Sequence, residues 1–124
     1  EKSHVYLATS DRKEGWGAVI NEAMNSGCVV TADRAMGAAP CLIRDGGNGI
    51  LYPAGRINVA VKKLTGLLRE PGYVRLRQMG RAAYRTIDEE WNAETAAQRI
   101  YACIEAELRG ETMPEYESGP MSRV

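Results

Sequence analysis

Neither sign of charge is in excess in this chain, since sixteen Lys and Arg stand against sixteen Asp and Glu over 124 residues. A neutral balance supplies no field to hold nucleic acid or an anionic membrane surface. Cysteine is scarce: three residues, an odd number without close pairing, argue against a disulfide framework and for a reducing compartment. Cys28, Cys41 and Cys103 are expected as small buried apolar side chains. The lone histidine, His4, has no second metal-type ligand at useful spacing, so no metal site is expected. No apolar run approaches the length of a membrane span. The opening Glu1-Lys2-Ser3-His4 does not read as a signal peptide, and a cytosolic protein is the default that remains. Hydrophobic residues at 44% and charged residues at 26% are ordinary for a globular domain. The length holds one domain at most, burying a smaller share of its surface than a full-sized enzyme domain.

Val5-Tyr6-Leu7-Ala8 reads as a buried strand that enters a loop at Thr9-Ser10-Asp11. Asp11, Arg12 and Lys13 are either solvated loop charges or a cationic approach to a ligand. A helix then opens near Trp16 or Gly17, with Val19, Ile20 and Ala23 on its apolar side, and closes at Gly27, a natural left-handed C′ residue. Cys28-Val29-Val30-Thr31-Ala32 is a second strand, apolar without alternation, as expected when helices cover both faces of a sheet. Strand, helix and strand in this order make a right-handed parallel crossover. Ligands of such sheets lie beyond the carboxyl ends of the strands, where residues 10–17 and 33–40 both emerge. Asp33 reads as a strand-end cap or a sugar contact. Cys41-Leu42-Ile43-Arg44 is expected as a single helical turn, and residues 45–49 as a tight turn that precedes a third strand, Ile50-Leu51-Tyr52.

Three helices are expected after Pro53. Ile57, Ala60, Val61, Leu64, Leu67 and Leu68 recur at helical spacing, as do Leu76, Met79, Ala83 and Ile87 after the break at Pro71-Gly72. In the third, Asn92 is a good N-cap, Trp91 packs as a staple on Ala96, and Ala93, Ala97, Ile100, Ile104 and Leu108 line one packing side. Residues 110–124 hold proline, glycine, serine and glutamate with little to bury, so this tail is expected to be disordered. The fold class is α/β, with about three short parallel strands and flanking helices: part of a Rossmann-like domain over residues 1–109.

The stretch from Glu14 to Glu22 organises this reading. The first N–H groups of its helix have no intrahelical partner, and the macrodipole adds partial positive charge, which makes a seat for phosphate. Gly15 and Gly17 let a ligand approach the main chain closely. Glu14 precedes the turn and faces whatever is attached to the phosphate. Glu22 lies about 7 to 8 Å further along the helix axis, a spacing that suits a ribose whose two hydroxyls a carboxylate accepts together. As the bland alternative, Glu14 and Glu22 are solvated charges and Trp16 a core aromatic.

These residues, followed by Ala23-Met24-Asn25-Ser26-Gly27-Cys28-Val29-Val30, resemble the E-x7-E region of retaining family 4 (group 1) glycosyltransferases. The resemblance continues through Gly37, Pro40, Ile43, Asp45-Gly46 and Asn48-Gly49-Ile50-Leu51-Tyr52-Pro53, and is dense over the first half of the chain. Where many family members have two glycines before the proline and an acidic residue after it, Ala38-Ala39 follows Gly37 here and Cys41 follows Pro40. The resemblance implies a GT-B enzyme whose carboxyl-terminal half binds a nucleotide diphosphate sugar, such as a UDP- or GDP-sugar. The sugar passes to a hydroxyl acceptor with retention and without metal or other cofactor. Glu14 would orient the sugar as the catalytic residue, Gly15, Trp16, Gly17 and Ala18 would line sugar and phosphates, and Glu22 would hold the ribose.

With only three strands, the chain is expected to be a fragment, inactive alone. It would lack an amino-terminal acceptor domain and the upstream strands that in the family carry an Arg and a Lys for the diphosphate. The last helix of the family crosses back to that domain. An open edge on the first strand invites another chain, hence a dimer. Surface polysaccharide or glycoconjugate synthesis at the inner membrane face, with peripheral membrane association, follows from family habit. A GT-B-fold sugar-nucleotide epimerase and a non-catalytic nucleotide-binding or interaction module are the alternatives.

Overall fold

The computed structural model describes residues 3–10, 13, 15–69 and 71–122. Three strands, β1 (Val5–Ala8), β2 (Val29–Asp33) and β3 (Gly49–Tyr52), form one parallel sheet in sequence order, with Val5 beside Val29 and Val30 beside Gly49. The helices are α1 (Ala18–Asn25), the single turn α2 (Ala39–Leu42), α3 (Ile57–Arg69), α4 (Gly72–Arg85) and α5 (Ala93–Arg109). A π-helical turn, Thr86–Glu90, joins α4 to the approach to α5. Among the described residues no helix is long and apolar enough to cross a membrane.

Strand alternation sorts the core into two layers, because successive side chains point to opposite faces. Ala8, Val30, Ala32 and Leu51 meet Ile20, Ala23 and Met24 of α1, Leu42 and Ile43, Ala83 of α4 and Ile87 of the π-helical turn, with Tyr6 and Trp91 at the margin. On the opposite face Val29 and Ile50 meet Leu67 of α3 and Leu76 and Met79 of α4, flanked by Val5 and Leu64. Covered on both faces, β2 is buried throughout, which explains its unbroken apolar run.

The α1 helix ends as its sequence demands. Gly27 adopts φ 74° just past the Ser26 cap, and α4 passes so close that a Cβ on Gly80 would lie 2.3 Å from the Gly27 carbonyl oxygen. At the start of α5 the Asn92 side chain accepts the Thr95 N–H at 2.7 Å, a regular N-cap.

Several expectations need correction. The single turn lies at Ala39–Leu42, two residues before the expected Cys41–Arg44, because Pro40 suits a first helical turn. Arg44 N–H is then taken by the Asn48 side chain rather than by a helical carbonyl. Cys41 is half-buried, while Cys28 and Cys103 are buried as expected, and all three are free thiols. In α3 only Ala60 and Leu67 are buried, while Ile57, Val61 and Leu68 are exposed. The larger departure is in α5. Ala93, Ala97, Ile100, Ile104 and Leu108, expected to pack, are all exposed, Leu108 to 81%, and Cys103 and Ala106 are the buried positions. Periodicity identified an apolar stripe but not what covers it.

After Gly110 no helix or strand occurs among the described residues. Arg99 of α5 donates to the carbonyls of Ser118 and Pro120 and sits over the Tyr116 ring.

The two sheet edges differ. At β3 the Leu51 N–H donates to the Asp45 carboxylate, Lys63 pairs with that carboxylate and donates to the Leu51 carbonyl, and Gly46 N–H meets the Gly49 carbonyl. Side chains and a turn thus occupy the positions a fourth strand would take. The outer edge of β1 pairs with no strand among the described residues.

Candidate functional site

The loops after β1 and β2 leave the same end of a parallel sheet, and main-chain bonds join them. Gly37 N–H donates to the Gly15 carbonyl at 3.2 Å and Ala38 N–H to the Trp16 carbonyl at 2.8 Å. The second loop is well anchored, with Met36, Ala38 and Ala39 buried. Its Ala38-Ala39 pair, where many members of the resembled family have glycine, therefore forms part of the core. No room exists for a side chain at the seam, since a Cβ on Gly37 would stand 2.3 Å from the Gly15 oxygen. Asp33 serves as a structural cap: one carboxylate oxygen accepts Ala35 N–H at 2.8 Å and the other Gly55 N–H at 2.9 Å. Its charge and burial together push the Tyr52 hydroxyl upward, burial being the larger cause.

That seam holds the head of α1. Gly15 (φ 27°) and Gly17 (φ 75°, ψ 61°) take left-handed dihedrals that other residues adopt at a cost. Gly17 is the N-cap and brings no side chain to the helix end. The first bond of the helix is Ile20 N–H to the Gly17 carbonyl at 3.0 Å. Gly17, Ala18 and Val19 N–H have no protein acceptor among the described residues, so the helix presents three donors and its positive pole together.

Trp16 is 45% exposed. Its Nε1–H donates to the Asn21 side chain at 3.1 Å, and its ring meets that of Trp91 at 5.7 Å between centroids, tilted by 39°. Trp91 is thereby brought from the far end of the chain to the loop. Sequence reasoning assigned it to a staple on Ala96, and no local signal links it to Trp16.

Glu22 is exposed, just over one turn beyond the helix head. It lines a hollow of about 250 Å³ with Tyr6, Val19, Ala23, Ser26 and Cys28, along the β1 side of the sheet. Gly15, Trp16, Gly17 and Ala18 form one continuous turn, and none of the four is among the described residues that line that hollow. Glu14 lies outside the described residues, as do Asp11 and Arg12. No three His, Cys, Asp or Glu side chains cluster to hold a metal among the described residues.

A loop of two left-handed glycines that opens a helix at the carboxyl end of a parallel sheet is suited to an anionic ligand. Residues 1–86 match the family model of glycosyl transferases group 1. The chain belongs to the group 1 glycosyl transferases. Among solved structures, this group 1 chain is similar to the carboxyl-terminal domain of a glycosyl transferase group 1 family protein, LpcC, from Francisella tularensis. The two are 31% identical with a TM-score of 0.57, over 69% of this chain and 42% of that one. This chain therefore matches less than half the length of that one. No curated protein matches it significantly. The fold of three parallel strands with flanking helices is similar to that of a GT-B carboxyl-terminal domain.

Proposed function

We propose that this chain is the donor-binding part of a retaining, family 4 glycosyltransferase that moves a sugar from a nucleotide diphosphate to a hydroxyl acceptor. The observation that carries this reading is the row of N–H groups on Gly17, Ala18 and Val19 at the head of α1, which have no acceptor among the described residues. A diphosphate seated there meets donors aimed at the charge that grows as the glycosidic C–O bond breaks, and stabilising that charge is the greatest help such a site can give the reaction. The donor itself is the only small molecule needed, with no metal. Positive charge comes from helix amides and from an Arg and a Lys upstream.

In this proposal Glu14 accepts hydroxyl hydrogen bonds from the transferred sugar and orients its anomeric carbon. Gly15 and Trp16 border that sugar, and Glu22 takes the ribose hydroxyls. A preceding amino-terminal domain holds the acceptor, and the bare apolar stripe of α5 supports a contact with it. The open outer edge of β1 supports an upstream strand in the whole protein and a dimer when this chain stands alone. Peripheral attachment at the inner membrane face, in surface glycan synthesis, completes the proposal.

The test is an amide-resolved NMR titration of the chain with UDP, GDP and ADP, carried to millimolar concentration, where a Kd of 1 mM corresponds to about −4.1 kcal/mol. The expected result is movement of the Gly17, Ala18 and Val19 resonances by at least one nucleotide, weakened severalfold in Glu22→Ala. Silence of those amides toward all three nucleotides overturns the donor site. Binding without turnover in the full-length protein, given donors and acceptor alcohols, favours the module; C2 or C4 inversion of a free sugar nucleotide favours the epimerase.

A further inference from the structure

The turn that forms the head of α1 cannot hold itself. Both of its glycines sit in regions that glycine enters and leaves freely, so its shape depends on what fastens it. Two fastenings are the main-chain bonds from the loop after β2. The third is aromatic and comes from beyond the stretch matched by the family model: the ring of Trp91 against that of Trp16.

Trp91 is itself firmly placed. It packs half-buried against the layer that contains Ile20, Ile87 and Ala83. Its N–H closes the π-helical turn onto the Thr86 carbonyl at 3.0 Å, and the next residue caps α5 while donating to the Asp88 carbonyl at 2.7 Å. The π-helical turn packs on α1. Extra-wide turns of this kind within helices recur at functional sites, and here the turn delivers Trp91 to the helix head. Trp16, in turn, is tied by Nε1 to Asn21, one turn inside α1. Indole, helix and turn thus move as a unit when Trp91 is in place.

We infer that Trp91 is a positioning residue for the donor site: through the Trp16 ring it sets the direction of the N–H groups of Gly17 and Ala18. This inference rests on the donor-site reading given above. The ring contact is of the tilted kind that contributes beyond its buried area.

The test uses the chain with Trp91→Phe, Trp91→Leu and Trp91→Ala, each measured by thermal unfolding, by amide hydrogen exchange and by titration with UDP and GDP. In Trp91→Ala and Trp91→Leu the Ile20, Gly37 and Ala38 amides, which donate to the Gly17, Gly15 and Trp16 carbonyls, are expected to exchange about three- to tenfold faster, while those of α3 keep their protection. Nucleotide affinity is expected to fall by a similar factor. Trp91→Phe, which keeps a ring at the contact, should restore both to within about twofold. Should Trp91→Ala fail to fold, Trp91→Leu retains the apolar bulk and carries the measurement. A purely structural role predicts faster exchange throughout the core with no rescue by Phe, and that pattern overturns the inference. So does unchanged exchange at Ile20, Gly37 and Ala38. If the unaltered chain binds no nucleotide, the donor-site reading fails, and the exchange measurement still decides whether Trp91 orders the loop.

Discussion

Replacing Gly37 by alanine adds one methyl group at the seam between the two loops and tests the construction of the site directly. The new Cβ stands 2.3 Å from the Gly15 carbonyl oxygen, whereas real Cβ atoms essentially never come within 3.0 Å of such an atom. Gly37 carries no positive φ, so the whole cost is steric. One side must retreat by roughly 0.7 Å, because close-packed backbone does not compress. The loop after β2 is held by buried Met36, Ala38 and Ala39, whereas Gly15 and Trp16 are exposed. The α1 head is therefore the side that yields. Its retreat breaks the Gly37–Gly15 bond and stretches the Ala38–Trp16 bond, each contributing about 0.5–1.5 kcal/mol. The expected loss of stability is about 1–3 kcal/mol, a fall of several degrees in Tm.

The loss of function is expected to be larger than the loss of stability. On the proposed donor-site reading, N–H groups misplaced by about 1 Å cost the whole enzyme on the order of a hundredfold in rate. Thermal unfolding measures the stability, amide shifts of residues 15–19 the retreat of the α1 head, and turnover by the full-length protein the rate. Gly66→Ala is the internal control. A Cβ there meets nothing within 4 Å, in mid-helix, so the same substitution should stabilise by about 0.5–1 kcal/mol. A Gly37→Ala protein with the original Tm and unmoved residues 15–19 would refute the seam as the device that holds the site.

Gly80→Ala, whose methyl would lie 2.3 Å from the Gly27 oxygen, should cost about 1–3 kcal/mol by overpacking, less the helix gain of about 1 kcal/mol; a chemical denaturation curve measures it. Thr31 Oγ1 is buried with no hydrogen-bond partner among the described residues, so Thr31→Val should be neutral or stabilising by about 1–3 kcal/mol, and a lowered midpoint would count against it. At the β3 edge, burial acts to raise the Asp45 carboxyl, but the Lys63 ammonium, the Leu51 N–H and more distant Arg34 together hold it below its ordinary 3.8. Its contribution is therefore complete above pH 3.8 and lost as pH falls through the lower folded value. Stability of Asp45→Asn should depend less on pH in that window, and its Leu51 amide should exchange faster; identical acid limbs for the two proteins would refute the linkage.

The strands at Val5–Ala8 and around Val29, the start of α1 beside Gly17, the left-handed Gly27 and the Asn92 cap are all legible in the sequence because each depends on neighbours within a few residues. Local apolar runs, missing Cβ atoms and a side-chain acceptor near its own amides act over one or two turns. The turn at the head of α1 was readable for the same reason, since Gly15, Trp16, Gly17 and Ala18 are contiguous. The boundary of α2 was less so, because Pro40 sets an earlier start and the Asn48 side chain takes the Arg44 N–H that a longer helix would use.

Tertiary structure alone decided which apolar stripes are covered and what fastens the turn at the head of α1. Ile100, Ile104 and Leu108 repeat as regularly as Leu76, Met79 and Ala83, yet the first group is bare and the second buried, because periodicity gives a helix a face but no partner. Trp91 is 75 positions from Trp16, and Gly37 is 22 from Gly15; such contacts exist only once a parallel sheet has brought its loops to one end. The sequence by itself determined the chemistry available at the head of α1, and the packing of distant segments determined that this chemistry is held in one place.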